Sequence, residues 1–367
     1  METNLTSKDV QLLSALGKHP LESATFLSRE AGMTSPTFAR RLRKLYRDRV
    51  LLSISAEVSY TSLGLEPVLY FLESPFKSMR SLELALDFHP YTRYRVRSLG
   101  ALNGLFTLFA VPTGTVPLLN EFVEELAGLG HVRDYHYDVS TGPWAYSETD
   151  FRYFDLETGS WGFNWRRWEE DVFIDSPPHS TCLGSRPSVL HELDFRDMSI
   201  LRQLSLNAAR RKTEIALEAK VPNYHLSRRW KKLEGHVIDT YRVVVNRDAS
   251  KLFATLLFEC RCTDPVRWKF TNALKTLPYQ STLIPSSEGF FLQTAIHSLD
   301  LPQLGRILQE YCEDVRVLWN DYESSMRYWL WDEPFQDGEW IANREFMVDY
   351  IIEALAESQR QPLKQEL

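Results

Sequence analysis

The pattern of apolar and polar positions changes its period along the chain in a regular order. Val10, Leu12, Leu13 and Leu16 have the spacing of a short amphipathic helix. Further helices are predicted near 23–31 and over 35–47, where Ser35-Pro36 is typical of a helix start. Beyond residue 68 the pattern predicts strand, helix, two strands, helix and strand, at 69–72, 78–88, 93–99, 105–111, 116–126 and 132–139. This βαββαβ order is that of a ferredoxin-like sheet with both helices on one face.

The same plan occurs twice in the sequence. Asp9-x-x-Leu12-Leu13 recurs 188 positions later as Asp197-x-x-Ile200-Leu201, and His89-Pro90-Tyr91 recurs as Leu277-Pro278-Tyr279. After a three-residue deletion, Asn103-Gly104-Leu105-Phe106 corresponds to Glu288-Gly289-Phe290-Phe291, and Pro117 corresponds to Pro302. A repeat of this length fixes the architecture. The predicted fold class is therefore α+β, with two copies of a winged helix-turn-helix followed by a ferredoxin-like domain.

Each copy ends in an aromatic-rich tail, in which Gly159-Ser160-Trp161 matches Gly338-Glu339-Trp340. We expect the tails to pack on a sheet, on the other copy or on another subunit, with base stacking or partner capture as the alternative. We call the winged helix-turn-helix of each copy its head and the ferredoxin-like domain its body. The predicted domains are a first head at 1–62, a first body at 63–140, a tail and linker at 141–190 (the linker near 176–187), a second head at 191–247, a second body at 248–323, and a tail with a C-terminal helix at 324–367.

The third helix of each head is cationic. In a helix-turn-helix this helix enters the major groove of double-stranded DNA, and its lysine and arginine side chains contact the DNA phosphates. A wing is expected from a hairpin of residues 50–54 and 58–60. The alternative is an ordinary solvated helix face. The residues predicted to contact DNA are Ser35, Thr37, Arg40, Arg41, Arg43, Lys44, Arg47, Asn223, His225, Arg228, Arg229, Lys231 and Lys232.

Charge is segregated along the 367 residues, whose net charge is −7. Residues 1–65 carry nine basic and six acidic residues, and residues 197–247 carry eleven and five, so the rest of the chain is strongly acidic. Two basic segments in an otherwise acidic chain favour a modular protein that binds a polyanion through these segments. The four cysteines lack metal-ligand spacing, and neither a secretory signal nor a membrane span is visible, so no metal and a cytoplasmic location are predicted.

Arg93, Arg95 and Arg97 alternate with other residues, which places three guanidinium groups on one strand face. The planar guanidinium group of arginine can donate two parallel hydrogen bonds to a carboxylate or a phosphate. An anion-binding site is therefore one interpretation of this pattern. The other is a strand face paired with acidic side chains. The second copy has no arginine at the corresponding Gln280-Ser281-Thr282-Leu283.

The heads and bodies together resemble the Lrp/AsnC family of transcriptional regulators. The resemblance rests on Asp9-x-x-Leu12-Leu13, Ala31-Gly32-Met33-Thr34-Ser35, Arg41-Leu42-x-x-Leu45, Val50-Leu51, Leu63-Gly64-Leu65 and the βαββαβ pattern. It implies a DNA-binding regulator that forms a homo-oligomer, expected to be a dimer, and that binds a small-molecule effector. Effector contacts are expected at Arg93, Arg95, Arg97 and Asn103. Arg49 departs from the family, which usually has a helix-ending glycine there.

Catalytic motifs are absent from the sequence, with no nucleophile elbow, phosphate loop, dinucleotide fingerprint or zinc-protease motif. The sequence therefore predicts a regulator that is not an enzyme and needs no cofactor. Two alternatives remain. One is a decarboxylase of haem biosynthesis acting on sirohaem, since such enzymes resemble this two-domain plan, and the other is an assembly protein that does not bind DNA.

Overall fold

The computed structural model describes residues 5–174 and 186–360. Most of the linker predicted near 176–187 lies outside the described residues, as does the end of the tail at 361–367. Within the described ranges, no helix combines the length and apolar character that crossing a lipid bilayer requires.

The first head contains three helices and one strand. The first helix starts at a capping box, in which Thr6 Oγ1 accepts the Asp9 N–H at 3.3 Å and the Asp9 carboxylate accepts the Thr6 N–H at 3.0 Å. Gly32, with φ +61°, lies in the turn before the third helix, where a left-handed conformation favours glycine. The elements are α1 (Ser7–Lys18), α2 (Ala24–Glu30), α3 (Ser35–Arg47) and β1 (Leu51–Val58).

The first body has the predicted βαββαβ order. Its elements are β2 (Leu65–Glu73), α4 (Met79–Phe88), β3 (Thr92–Gly100), β4 (Gly104–Pro112), α5 (Val116–Gly128) and β5 (Asp134–Val139). The strands form an antiparallel sheet in the order β5-β2-β4-β3. Gly104 is required where β4 meets β2, because a Cβ there would lie 1.9 Å from the Leu72 carbonyl oxygen. At its counterpart Gly289, a Cβ would likewise lie only 2.0 Å from the Cys260 carbonyl oxygen.

The rest of the chain repeats this order after the first tail. The first tail contains β6 (Ala145–Ser147) and α6 (Trp165–Glu169), which continues as a π-helical turn at Glu170–Ile174. The second head and body contain α7 (Phe195–Asn207), α8 (Lys212–Glu218), α9 (Asn223–His236), β7 (Ile238–Val245), α10 (Arg247–Ser250), β8 (Ala254–Arg261), α11 (Asp264–Ala273), β9 (Ser281–Pro285), β10 (Gly289–Ile296), α12 (Leu301–Tyr311) and β11 (Asp314–Asn320). The second tail contains β12 (Met326–Arg327), β13 (Phe335–Gln336), β14 (Glu339–Trp340), a π-helical turn at Glu345–Asp349 and α13 (Tyr350–Arg360).

The chain folds into two compact units that do not coincide with its two halves. The first unit comprises Met1–Val58, Thr141–Ser185 and Gln203–Trp319, and the second comprises Ser59–Ser140, Arg186–Arg202 and Asn320–Leu367. The first tail therefore belongs to the same unit as the second body, and the second tail to the same unit as the first body. The two tails are exchanged between the halves.

In the first unit, the first tail adds a strand to the second body and buries its tryptophans there. The second body's sheet has the order β11-β8-β10-β9, and β6 pairs with β9. Trp161, Trp165 and Trp168 are each about 5% exposed. Their indole N–H groups donate to the Ser250 carbonyl, to Asp300 and to Thr276, at 3.0, 2.8 and 2.8 Å. Paired N–H groups let these large rings be buried without an unsatisfied donor.

In the second unit, the second tail makes the equivalent contacts with the first body. β12 pairs with β3, and the Trp340 indole N–H donates to the Leu63 carbonyl oxygen at 2.7 Å. α13 packs against α4. Trp340 and Trp161 thus occupy matching positions, each bonded to a carbonyl near the start of the other half's body.

The wing differs from the predicted hairpin within one head. β1 runs without a break from Leu51 to Val58 and pairs antiparallel with its counterpart β7. The two strands form a two-stranded sheet of their own, in which each satisfies the backbone groups along one edge of the other. The predicted fold class is confirmed, with an α+β chain that holds two copies of the winged helix-turn-helix and ferredoxin-like plan.

Candidate functional site

The cations predicted to bind DNA in the first head lie on α3 and differ in availability. Arg40, Arg43, Lys44 and Arg47 are exposed, although Arg47 also donates to Asp48. Arg41 is only 21% exposed and forms an ion pair of 2.8 Å with the buried Asp9. Arg41 therefore anchors α3 to α1. At the start of α3, the Ser35 hydroxyl contacts Ser28 and the Thr37 hydroxyl accepts from Thr34, each at 3.0 Å.

In the second head the corresponding residues lie on α9. Asn223, Arg228 and Lys231 are exposed, whereas His225, Arg229 and Lys232 are half-buried. Leu226, Trp230 and Leu233 form the buried side of the helix. Only part of the predicted cations are therefore exposed on the third helices: Arg40, Arg43, Lys44 and Arg47 on α3, and Arg228 and Lys231 on α9. The DNA contacts themselves stay a prediction.

Two of the three arginines on β3 are held by acidic side chains of α4. Arg95 donates to Asp87 at 2.6 Å and to Glu83 at 3.3 Å, and Arg97 donates to both Glu83 oxygens at 2.8 Å. Glu83 is only 3% exposed. These ion pairs match the second interpretation of the arginine pattern and leave Arg93 as the member of the three without an acidic partner.

Arg93 is the extra residue of a bulge in β3. Thr92 pairs with Phe109 and Tyr94 pairs with Leu108, so Arg93 has no partner on β4 and the alternation is interrupted there. The side chain is 3% exposed, and its Nη1 donates to the Trp329, Pro90 and Thr92 carbonyl oxygens. Its Nε and Nη2 atoms have no hydrogen-bond partner.

No carboxylate within the described residues lies in ion-pair distance of Arg93. Burial lowers the pKa of Arg93, with the nearby hydroxyls of Tyr60 and Tyr91 opposing the shift. An arginine keeps its proton in proteins, so this site holds a buried positive charge without a counter-ion. Such a charge is costly, and an anionic ligand would offset the cost.

His89 and two tyrosines, Tyr60 and Tyr91, lie near this guanidinium. His89 is 2% exposed, and its Nδ1 accepts the Tyr91 backbone N–H at 3.3 Å. Burial, assisted by the charge of Arg93, lowers the pKa of His89 to about 3, so the ring is neutral and carries its proton on Nε2. The Tyr91 hydroxyl donates to the Ile341 carbonyl oxygen of the second tail at 2.6 Å, and burial raises the pKa of Tyr91.

Asn103, the fourth predicted effector contact, lies apart from Arg93. It is exposed in the turn after β3, whereas Arg93 lies at the beginning of that strand. At about 3.3 Å per residue, a strand of this length separates the two positions by roughly 20 Å. The structure therefore does not bring these two residues together, and the effector site stays a prediction.

The second body carries a buried charge of the opposite sign near its counterpart of Tyr91, although the residue that aligns with Arg93 is Ser281. Tyr279, the counterpart of Tyr91, is buried and donates its hydroxyl to Asp300. Asp300 is 8% exposed and also accepts the Trp165 indole N–H of the first tail at 2.8 Å. The aligned positions of the first body and the second body are Thr115 and Asp300, so the two copies have diverged here.

Sequence reasoning did not single out His89, Tyr91, Asp300 or Trp165 as members of these sites. The repeat contained a signal, because His89-Pro90-Tyr91 and Leu277-Pro278-Tyr279 keep the tyrosine and change the histidine. Nothing in the local pattern of Asp300 indicates burial among aromatic rings. That environment depends on the exchanged tail.

Comparison with known proteins gives a whole-length match only among solved structures. No protein-family model matches the sequence, and no curated protein matches it significantly. The crystal structure of the siroheme decarboxylase NirDL covers 97% of this chain and 100% of its own, with 15% identity and a TM-score of 0.53. NirDL in complex with an iron-uroporphyrin III analogue gives 14% identity, 96% and 99% coverage, and a TM-score of 0.52. The regulator LrpC of B. subtilis covers 38% of this chain and 97% of its own, with 15% identity and a TM-score of 0.34.

The NirDL match shows that the two-copy fold extends along the whole chain. The expectation that this chain is not an enzyme is wrong, because NirDL, which matches 97% of its length, is an enzyme. The error has a physical reason. The catalytic motifs used for the sequence-based prediction are local, whereas the sites described above combine segments that are far apart in sequence.

Proposed function

We propose that this chain is a decarboxylase of a siroheme-type tetrapyrrole, with Arg93 of the second unit binding a carboxylate side chain of the substrate. The observation that carries the proposal is the buried guanidinium of Arg93, whose Nε and Nη2 lack partners. The full-length fold match to a siroheme decarboxylase supports the substrate class. A tetrapyrrole of this class combines a flat apolar ring with several carboxylate side chains. One of these carboxylates would pair with the Arg93 guanidinium, and the apolar ring would lie against apolar and aromatic side chains.

The reaction removes one acetate carboxyl group as CO2. The bond between the methylene carbon and the carboxyl carbon breaks, its electron pair stays on the methylene carbon, and one proton converts that carbon to a methyl group. Arg93 would bind a neighbouring carboxylate rather than the reacting one, because an ion pair stabilises the charge that the reaction has to disperse. The proton would come from a donor near Arg93, where the hydroxyls of Tyr60 and Tyr91 and the Nε2–H of His89 lie.

The test is to mix the purified full chain with siroheme without oxygen and to follow the visible absorption bands and the product mass. The wild-type protein should shift the bands and yield a product lighter by one or more CO2. Arg93→Gln should weaken siroheme binding by about ten- to a hundredfold, the range for removal of a charge-assisted hydrogen bond. Arg133→Gln removes an exposed arginine of the same body that pairs with Glu73 and should change nothing. An unshifted spectrum, or equal binding by the Arg93 and Arg133 variants, would contradict the proposal.

A second function, binding of double-stranded DNA by the heads, is favoured by the exposed cations of α3 and α9. Arg40 and Arg43 are the suitable pair to remove, since Arg41 is engaged with Asp9. Removing one cation that binds a phosphate should reduce the slope of log affinity against log salt by about one. Arg40→Ala/Arg43→Ala should therefore flatten the salt dependence, whereas Arg29→Ala on α2 should not. An unchanged slope would remove the first head from the DNA interface.

A further inference from the structure

An open, shallow cavity of about 530 Å³ lies in the first unit where the first tail meets the second body. One wall is the tail segment from Gly162 to Trp165, and the other is formed by Leu299, Asp300 and Gln303 at the start of α12. Phe163 and Trp165 stand edge to face, with ring centroids 4.9 Å apart. The cavity is thus an aromatic cleft with one buried carboxylate in its wall.

Asp300 has no permanently charged partner in the protein. Its two hydrogen-bond donors, the Trp165 indole and the Tyr279 hydroxyl, are neutral. Nδ1 of His297 lies 3.9 Å from one Asp300 oxygen, within ion-pair distance, and balances the charge only when the imidazole is protonated. In the part of the chain that the structure describes, no lysine or arginine forms an ion pair with this carboxylate.

A carboxylate beside aromatic rings is the chemistry that recognises an organic cation. The carboxylate supplies the counter-charge, and the ring faces attract a cation and cover its alkyl groups. An anionic ligand would be repelled by Asp300. A bare metal ion is disfavoured, because no cluster of three or more His, Cys, Asp or Glu side chains suited to a metal occurs among the described residues.

We propose that this cavity binds an alkylammonium group, with Asp300 as its counter-ion and Phe163 and Trp165 as its aromatic wall. The proposal is independent of the tetrapyrrole reaction, since it concerns the other unit and a charge of opposite sign. The first body has Thr115 at the position aligned with Asp300. The ammonium site is therefore a property of the second copy alone.

Titration of the full chain with butylammonium and with tetramethylammonium, followed by calorimetry and tryptophan fluorescence, tests the proposal. tert-Butanol and acetate serve as neutral and anionic probes of similar size. At least one ammonium probe should bind at least about tenfold more tightly than either of these. Equal affinity for the ammonium and neutral probes, tighter binding of acetate, or no binding of any probe would overturn the proposal.

Asp300→Asn is the decisive variant, because it removes the charge and keeps one oxygen that can accept from Trp165, while its amide nitrogen can donate to the Tyr279 hydroxyl. It should weaken ammonium binding by about ten- to a hundredfold. Asp314→Asn, at an exposed aspartate of the same unit, should bind as the wild type does. If Asp300→Asn does not fold, Phe163→Leu replaces it as the test. This variant should weaken ammonium binding by about threefold to tenfold, because the aromatic ring is removed. Wild-type affinity in whichever of these two variants is folded would refute the site.

Discussion

His89 makes the stability of the second unit depend on pH. Its ring is fully buried against Phe109 and Phe122, with ring centroids 5.1 and 4.8 Å away, and Arg93 adds a like charge nearby. Burial and that charge lower the pKa of His89 to about 3, from 6.5 in an unfolded chain. Replacing it by the residue of the second copy, Leu277, gives the variant His89→Leu, which has no titrating group at this position.

The sign and size of the effect follow from the lowered pKa of His89. Above about pH 6.5 the ring is neutral in both states, and its contribution to stability is fully present. As the pH falls from 6.5 towards 3, the unfolded chain takes up a proton that the folded chain excludes, so the wild type loses about 1.4 kcal/mol per pH unit relative to the variant. At pH 5 the relative loss is roughly 2 kcal/mol.

Urea unfolding of wild type and His89→Leu at pH 8, 6 and 5, followed by circular dichroism, measures this difference. The variant changes packing at every pH, so the quantity of interest is how the gap in unfolding free energy varies with pH. His191→Gln, at a position with a 78% exposed side chain, is the control and should keep the wild-type pH dependence. A constant gap between wild type and His89→Leu from pH 8 to pH 5 would refute the burial of a neutral histidine.

Three further predictions concern the two units and the assembly. Glu83→Gln should lower the unfolding free energy by about 1–3 kcal/mol in urea, because it removes the buried carboxylate that Arg95 and Arg97 share while Arg95 keeps its ion pair with Asp87, and a loss below about 0.5 kcal/mol would contradict the network. Lys220→Gly should raise stability by about 1 kcal/mol, because Lys220 has φ +53°, whereas Lys231→Gly inside α9 should lower it by a similar amount. Homo-oligomerisation stays a prediction: light scattering should give about twice the 42.7 kDa chain mass, and a monomer mass would contradict it.

The elements of the fold could be predicted from the sequence because they depend on local periodicity. The helix expected at 35–47 is α3, and the strand expected at 105–111 lies within β4. The pairing of β1 with β7 was not predictable in this way, since the pattern of a strand does not identify its partner. The bulge at Arg93 was also missed, because strict alternation assumes an uninterrupted ladder.

The sites were harder to predict than the fold because they are assembled by the exchanged tails. The density of tryptophans between 144 and 168 indicated burial but did not indicate the surface that receives them. Only the structure shows that Trp165 donates to Asp300 and that the Trp329 carbonyl accepts from Arg93. Both contacts join residues more than 130 positions apart, which no helical or strand period can reveal.

The exchange of tails gives a physical reason for keeping two diverged copies on one chain. The surroundings of Arg93 come from the first body and the second tail, and those of Asp300 from the second body and the first tail. Neither half can therefore build either site alone, and both halves are retained as long as one site is useful. Because each site is built from different segments, one can accumulate a positive charge and the other a negative charge. The two charges lie at different positions of the repeat, since Arg93 aligns with Ser281 and Asp300 aligns with Thr115, as separate selection on two sites after duplication would produce.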